Sequence, residues 1–167
     1  MPDVYDRGDD NTVMEELRRL ADQGDAKAQF ELGFRYAHGY GVSRDDQEAV
    51  KWYRQAAEQG HASAQFTLGS MFFKGQGVPK DYQEAVRWYR IAAEQGDASA
   101  QFKLGVIYDK GKGVLKDYVL AHMWMNLAAA KGVQEAVKGR DLLEKRMTPA
   151  QLAEAQRLAR EWKPKEE

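Results

Sequence analysis

Residues 62–97 read ASAQFTLGSMFFKGQGVPKDYQEAVRWYRIAAEQGD, and closely related spelling occurs one repeat before and one repeat after them. The hexapeptide Ala-Gln-Phe-x-Leu-Gly begins at Ala28, Ala64 and Ala100, so successive copies start 36 residues apart. A Gly-x-Gly-Val loop, an aspartate, a tryptophan and an Ala-Ala pair keep the same spacing in all three copies. A fixed period of roughly 20 to 50 residues is typical of solenoids and repeat arrays. The sequence therefore predicts a repeat protein.

Each repeat is predicted to contain two helices. The first, helix A, is indicated by apolar residues at helical spacing, and it ends at a glycine: Ala62, Phe66, Leu68, Gly69, Phe72, Phe73 and Gly75. Asp81 then stands as an N-cap with Glu84 three residues later, the spacing of a capping box, and Asp45 with Glu48 repeats the arrangement. The second helix, helix B, follows and stops at Gly96. The predicted repeat is a helical hairpin.

Glycines inside helix A predict close contact between helices. Gly33, Gly69 and Gly105 stand where glycine costs roughly 0.8 to 1 kcal/mol relative to alanine, so they need a structural reason. We expect a neighbouring helix to approach each of them, with rings such as Trp88 and Tyr89 filling the space between hairpins. The glycines of the Gly-x-Gly-Val loop are predicted to adopt positive φ in a tight turn.

The repeat resembles a known family. Leu-Gly followed three residues later by Tyr or Phe, with Ala and an aromatic residue on a second helix, resembles the tetratricopeptide pattern, whose period is about 34 residues. The longer loop and the terminal Ala-Ala-x-x-Gly resemble the Sel-one-like repeat (SLR) family. This resemblance implies an all-α fold, an α-solenoid in which antiparallel helix pairs stack into a right-handed superhelix. It also implies an adaptor or scaffold that binds other proteins.

The predicted organisation is one domain, residues 1–167, with capping helices at both ends. Its parts are an N-terminal capping helix (1–24), three repeats (26–60, 62–96 and 98–132) and C-terminal capping helices (134–163). At the N-terminal end, Val4, Tyr5 and Gly8 are interpreted as the remnant of a helix A, and Thr12 with Glu15 as the capping box of a helix that runs to Gln23.

Two helices are predicted near the C-terminus. An A-like helix spans residues 134–146, with Lys138 and Asp141 where the repeats have phenylalanine and glycine. Thr148, Pro149 and Gln151 predict the capped start of a last amphipathic helix that acts as a lid. Residues 163–167 are predicted to be a frayed tail.

Helix B of the third repeat carries an unusual apolar face. Val119, Leu120, Met123 and Leu127 replace the polar residues of the earlier copies, so something must cover them. The favoured interpretation is that the C-terminal cap folds over this face, because terminal repeats are usually atypical. The alternative is that a partner or a second copy of the chain docks there.

Composition narrows the classes of partner. The formal net charge is −1, from 25 basic and 26 acidic residues, which gives no basic surface for nucleic acid. No apolar run approaches the roughly 20 residues of a transmembrane helix, so membrane insertion is not expected.

The absence of cysteine removes disulfides and thiolate chemistry. The start of the sequence lacks signal-peptide features. Because the resemblance implies a family whose members are often exported, an exported or periplasmic origin stays open, and so does the compartment.

The sequence offers no recognisable catalytic or cofactor motif. The Gly-x-Gly of each loop lacks a preceding strand and a third glycine, so phosphate binding is not expected. His38, His61 and His122 fall at different phases of the repeat, which does not favour a metal site. We therefore expect a protein that is not an enzyme and that needs no cofactor or metal. Enzymatic activity is the third hypothesis, behind the two functions described next.

The sequence supports two functional hypotheses. The first is a protein-interaction scaffold that binds a peptide or protein on its concave face, which the A helices line in the tetratricopeptide geometry. Read by phase, the residues expected on this face are Phe30, Phe34, His38, Phe66, Ser70, Phe73, Lys74, Phe102, Val106 and Lys110. For Phe30, Phe66 and Phe102, which occur in every copy, a packing role is at least as well supported as contact with a partner. The second function is a structural or weakly self-associating module that uses the apolar face of the third repeat.

Overall fold

A computed structural model of the chain describes residues 10–166, and within that range all nine regular elements are α-helices. The chain groups into two compact units, Met1–Lys80 and Asp81–Glu167. The first unit contains α1 (Asp10–Asp22), α2 (Ala26–His38), α3 (Asp46–Glu58) and α4 (Ala62–Lys74). The second contains α5 (Tyr82–Glu94), α6 (Ala98–Lys110), α7 (Tyr118–Ala130), α8 (Gln134–Glu144) and α9 (Pro149–Glu161). The all-α prediction is confirmed for the described residues. The interpretation of Val4, Tyr5 and Gly8 lies outside them, and the single-domain boundaries stay a prediction.

The ends of the repeat helices follow from their capping residues. The A-type helices α2, α4 and α6 end at Gly39, Gly75 and Gly111, all in the left-handed conformation. The B-type helices α3, α5 and α7 begin after Asp45, Asp81 and Asp117, each of which accepts a hydrogen bond from a backbone N–H of the first turn. The carboxylates of Glu48 and Glu84, the other half of the expected capping boxes, accept hydrogen bonds from Lys51 and Arg87.

In the first and third repeats, the glycine within helix A faces the B helix of its own hairpin. A Cβ atom on Gly33 would lie 2.9 Å from Cδ1 of Tyr53, and one on Gly105 would lie 2.5 Å from Cγ of Met125. Close approach is therefore the reason for both glycines. The ring of Tyr53, the counterpart of Tyr89 one repeat earlier, packs within its own hairpin, because α2 and α3 are antiparallel neighbours across a short loop. The expectation for Trp88 and Tyr89 stays a prediction.

Successive repeats are joined by contacts that recur with the same period. Buried glutamines reach back to the end of the preceding B helix: the side-chain amides of Gln29, Gln65 and Gln101 donate to the carbonyls of Ala21, Ala57 and Ala93 at 3.1 to 3.2 Å. Arginines of the B helices meet an aromatic ring of the next A helix. Arg18 and Arg90 donate to the hydroxyls of Tyr36 and Tyr108, and the Arg54 guanidinium lies 5.5 Å from the Phe72 ring centroid. The glutamine contacts satisfy buried amide N–H groups and carbonyls at the helix ends, and both sets of contacts link a B helix to the A helix that follows it.

The second glycine of each loop lies against the first turn of the preceding B helix. Gly41, Gly77 and Gly113 have φ of 71°, 71° and 76°. A Cβ on Gly77 would collide with the carbonyl oxygen of Asp46, and one on Gly113 would lie 2.8 Å from that of Tyr82. The positive φ expected of these loops is confirmed, and the close approach is a second reason for glycine.

The predicted start of the N-terminal helix is wrong. Thr12 lies inside α1, which already includes Asp10 and Asn11. Packing explains the earlier start, because the first turns of α1 lie beside the Gly41 loop, with Asp10 Cβ and Met14 Cγ close to that glycine. Tertiary contact therefore outweighs the local capping signal.

The C-terminal helices pack on the third repeat. Both α8 and α9 contact α7, where Met123 is buried and Val119, Leu120 and Leu127 are half-buried. The rings of Trp124 and Trp162 meet edge to face. The capping box of Thr148 and Gln151 is confirmed, whereas α8 ends two residues earlier than expected.

The frayed tail is also a wrong prediction for the described residues 163–166. The Lys165 backbone N–H donates to the Glu94 carbonyl at 2.8 Å, and its Nζ lies 2.7 Å from the Glu94 carboxylate. Lys131 donates to the carbonyl of Gly96 in the same region. These basic residues satisfy carbonyls at the C-terminal end of α5, where the helix dipole favours positive charge.

Candidate partner-binding surface

An exposed cluster of three rings lies at the end of α2. The rings of Phe34 and His38 have centroids 4.1 Å apart, and Tyr40, from the loop, lies 5.8 Å from Phe34 and 5.7 Å from His38. Phe34 is 36% exposed and Tyr40 is 56% exposed. The His38 Nδ1 lies 2.8 Å from the Phe34 carbonyl oxygen, so Nδ1 carries the hydrogen and donates it. This bond fixes the orientation of the imidazole against the two other rings. We call Phe34, His38 and Tyr40 the aromatic cluster.

A cleft of about 180 Å³ adjoins the aromatic cluster within the first unit. His38 belongs to both features. The lining residues come from α2, α3, α4 and the loop after α4: Ala37, His38, Tyr53, Thr67, Ser70, Met71, Lys74 and Gln76. Three residues predicted for the binding face, His38, Ser70 and Lys74, are therefore brought together around one cavity, and Phe34 lies beside it.

The charges around this cleft are unevenly paired. Asp46, on α3, is held by Arg44 at 3.1 Å, and this hydrogen bond, with a further one from Gln76, lowers the pKa of the Asp46 carboxyl despite its desolvation. Glu31 and Arg35 pair within α2 at 3.0 Å. Lys74 is exposed and forms no ion pair with any described residue. Its positive charge is therefore the uncompensated one at the cleft.

The floor of the cleft includes a buried tyrosine. Tyr53 is 1% exposed, and its ring rests on Gly33. Burial, reinforced by the charge of Glu31, raises the pKa of the Tyr53 hydroxyl. The hydroxyl therefore stays protonated and retains a hydrogen to donate.

The phenylalanines shared by all three copies are half-buried: Phe30, Phe66 and Phe102. Phe30 contacts the Tyr53 ring at 5.6 Å and stacks on His61 at 4.8 Å, which is a packing role. Phe73 on α4 is also half-buried. In the second unit, α6 presents Val106 half-buried and Lys110 exposed. The strongest site features therefore come from the positions that differ between copies.

Sequence reasoning missed several residues of this surface. Neither Tyr53 nor Tyr40 was among the residues predicted for the binding face. A signal for Tyr40 was available, because it is an aromatic residue in a glycine loop whose counterparts are Gln76 and Lys112. Tyr53 gave no such signal, since its cleft forms only when α2, α3 and α4 come together.

The three histidines have separate surroundings. His38 belongs to the aromatic cluster, and His61 is the N-cap of α4, where its Nδ1 accepts a hydrogen bond from the Ala64 N–H. His122 is 1% exposed on α7, with Nε2 3.0 Å from the Glu144 carboxylate. In residues 10–166, no group of three or more His, Asp or Glu residues is placed to hold a metal ion. No helix in that range combines the length and the apolar character needed to cross a bilayer.

Capped helix pairs with a 36-residue period, linked by recurring glutamine and arginine contacts, define an all-α protein built from helix-pair repeats. The Sel1 repeat model matches residues 26–61, 62–97 and 98–133, and the chain therefore belongs to the Sel1 repeat family. Proteins of this family are typically non-catalytic scaffolds that mediate protein–protein interaction. No curated protein matches the chain.

Solved structures agree with this assignment. The chain is similar to c5321, a protective antigen of uropathogenic Escherichia coli strains with an SLR fold, at 38% identity and a TM-score of 0.84, over 95% of this chain and 35% of that one. It is 46% identical to a Sel1 repeat protein from Oxalobacter formigenes, with a TM-score of 0.72, over 75% of this chain and 51% of that one.

Helicobacter pylori cysteine rich protein B is 25% identical, with a TM-score of 0.59, over 75% of this chain and 96% of its own. The present chain contains no cysteine, so its repeats contain no disulfides. It spans about a third of the length of c5321 and about half that of the Oxalobacter protein.

Proposed function

We propose that this Sel1 repeat chain is an interaction scaffold that binds a protein or peptide partner on the face of its A-type helices, the concave face of the tetratricopeptide geometry. The observation that carries the proposal is the exposed aromatic cluster beside a cleft with an unpaired lysine. Exposed rings grouped around a pocket are the anchors that dominate binding energy at protein interfaces. An unpaired charge nearby adds steering and specificity.

The proposal is tested by affinity capture from a native lysate, with identification by mass spectrometry and affinity measurement on the purified partner. The Phe34→Ala/Lys74→Glu double variant removes one ring and reverses one charge at the cleft. We expect it to lose at least about tenfold in affinity, because truncating an interface anchor commonly costs 2 kcal/mol or more. Its melting temperature should stay close to that of the parent, since Phe34 and Lys74 are both exposed.

A matched control is available elsewhere in the chain. Lys116 lies 5.1 Å from the ring centroid of Tyr118 at the start of α7. The Tyr118→Ala/Lys116→Glu double variant therefore makes the same chemical change away from the A-type helices, and we expect it to bind the partner like the parent. Full affinity in the cleft variant, or equal loss in both variants, contradicts the proposed face.

A further inference from the structure

Two side chains that line the cleft, Lys74 and Tyr53, carry hydrogen-bond donors that no described residue accepts from. The lining of the cleft includes Lys74, Tyr53 and His38. The inference drawn from them rests on the proposed function and concerns the chemistry of the partner.

Lys74 and Tyr53 together favour an anion. Nearby acidic groups are occupied, because Asp46 pairs with Arg44 and Glu31 pairs with Arg35. Lys74 is left without a counter-charge among the described residues. Tyr53 is almost fully buried, its hydroxyl has no hydrogen-bond partner among those residues, and it keeps its proton. A hydroxyl that forms no hydrogen bond within the protein is available to a ligand or to water.

His38 limits the position of such a ligand. Its Nδ1 hydrogen is donated to the Phe34 carbonyl, so Nε2 carries no hydrogen in this tautomer and can only accept. The donors available to a carboxylate in the cleft are therefore those of Lys74 and Tyr53. The His38 ring contacts both Phe34 and Tyr40. A ligand group in the cleft therefore lies next to an exposed apolar surface, on which a neighbouring side chain of the ligand can rest.

We propose that the cleft binds the side-chain carboxylate of an acidic residue within a partner peptide, and that an adjacent aromatic or aliphatic side chain of the peptide packs on Phe34 and Tyr40. Lys74 pairs with the carboxylate, and Tyr53 donates a hydrogen bond to it. The volume of about 180 Å³ supports this occupant, because it is below the roughly 300 Å³ at which small-molecule sites begin and suits a single side chain. A chain end would bring its own side chain together with its carboxylate, so an internal acidic residue fits better.

The test uses the whole ¹⁵N-labelled chain and four capped peptides followed by NMR titration. The probe has an acetylated and amidated Gly-Ser-Leu-Glu-Phe-Ser-Gly sequence. The second peptide replaces Glu with Gln, the third replaces Leu and Phe with Ser, and the fourth ends in a free carboxylate after Leu with no Glu. We expect the probe to shift the amide signals of cleft residues and to bind at least about tenfold tighter than each other peptide.

Substitutions then test which side chain is responsible for the preference for the Glu peptide over the Gln peptide. In Lys74→Gln the preference for Glu over Gln should fall to about onefold, and in Tyr53→Phe it should fall severalfold while the affinity for the Gln peptide is kept. Lys110→Gln changes the same repeat position on α6 and should leave the preference intact. Equal binding of the Glu and Gln peptides to the parent chain, tighter binding of the free-carboxylate peptide, or the same loss in Lys110→Gln would overturn the carboxylate assignment.

The outcome is separable from that of the proposed function. If the captured partner still loses affinity in the Phe34→Ala/Lys74→Glu variant while the parent does not distinguish Glu from Gln, the A-helix face stands and the carboxylate inference fails. If the parent prefers Glu and the captured partner ignores that double variant, the cleft binds carboxylates but is not the partner site.

Discussion

At the scale of single residues, the contact between Gly33 and Tyr53 shows how one hydrogen atom in place of a methyl group sets the distance between two helices. The tyrosine ring lies where a Cβ on residue 33 would stand, 2.9 Å from its Cδ1 atom. The ring is fully buried and has no room to move aside. The same ring forms part of the cleft, so this packing also positions a donor of the proposed binding surface.

Gly33→Ala is therefore expected to destabilise the chain. Overpacking costs about 1–3 kcal/mol, whereas the gain in helix propensity is only about 0.8–1 kcal/mol, so the net loss is on the order of 1 kcal/mol. Urea denaturation followed by circular dichroism measures it. In a Tyr53→Leu background, which copies the Leu17 that occupies this position one repeat earlier, the same change should be neutral or stabilising. If Gly33→Ala cost the same in both backgrounds, the ring would not be the cause.

Residue identity and period were sufficient to predict that these glycines make close contacts, but not which residue each one meets. Gly105 meets Met125, a flexible side chain in the place of the tyrosine, and Gly139 on α8 meets the sulfur of that same methionine. Gly139 lies two residues before the position predicted by the repeat. The period is lost there, so the sequence does not predict this contact. Only the packing of α8 on α7 shows that a glycine again allows close approach of the two helices.

At the scale of elements, most boundaries of the repeat helices follow from caps that can be recognised in the sequence, and the cap of α4 is an informative variant. Asp25 and Asp97 cap α2 and α6, each accepting a hydrogen bond from a backbone N–H three residues later at 2.8 Å. His61 takes this position for α4 and accepts through Nδ1 at 3.2 Å. An imidazole accepts in this way only when it is neutral, because both nitrogens of the protonated ring are donors. The cap of α4 is therefore sensitive to protonation.

This substitution makes the stability of the chain depend on pH. Burial is the main cause that lowers the pKa of His61, so the unfolded chain takes up the proton first as the pH falls below the ordinary histidine value of about 6.5. The stabilisation is complete above that pH and is lost progressively below it. We expect a loss on the order of 1 kcal/mol, the usual contribution of an N-cap.

The comparison is between the parent and His61→Asp, in free energies of unfolding at pH 7.5 and pH 5.5. Aspartate restores the residue used at the other two caps and stays ionised over this range, since its ordinary pKa is about 3.9. His38 and His122 are present in both proteins, so the difference isolates position 61. The variant should lose about 1 kcal/mol less than the parent between the two pH values. An identical pH dependence would show that the His61 cap does not titrate in this window.

Where the prediction of elements failed, the cause was packing or a contact distant in sequence. The Thr12 cap signal was overridden by the contact of the α1 first turns with the Gly41 loop. The tail was expected to fray because no local signal orders it, yet Lys165 binds Glu94, 71 residues away. For the same reason, the cleft was not predicted. The period placed His38, Ser70 and Lys74 on one helix type, but the pocket also needed Tyr53 from a B helix and Gln76 from a loop.

At the scale of the whole molecule, the two functions proposed from the sequence differ in the surface that they leave free. A self-associating module would present the apolar face of the third repeat, but α8 and α9 pack on α7. Met123 is buried, and the Trp124 and Trp162 rings are in contact. The exposed aromatic cluster instead belongs to the first unit. This distribution favours binding to a different protein over association through the third repeat.

We accordingly expect the parent chain to have the mass of a monomer, 19.0 kDa, at all concentrations in size-exclusion chromatography with light scattering. Ala155 is fully buried on α9, so Ala155→Arg inserts a long charged side chain where α9 packs and should release the helix. The uncovered apolar face of α7 should then cause association that increases with concentration. Gln156→Arg is the matched control, because it introduces the same side chain at an adjacent exposed position and should leave the mass unchanged. A stable dimer of the parent chain, dissociated by charged substitutions at Leu120 and Met123, would instead support assembly through the third repeat.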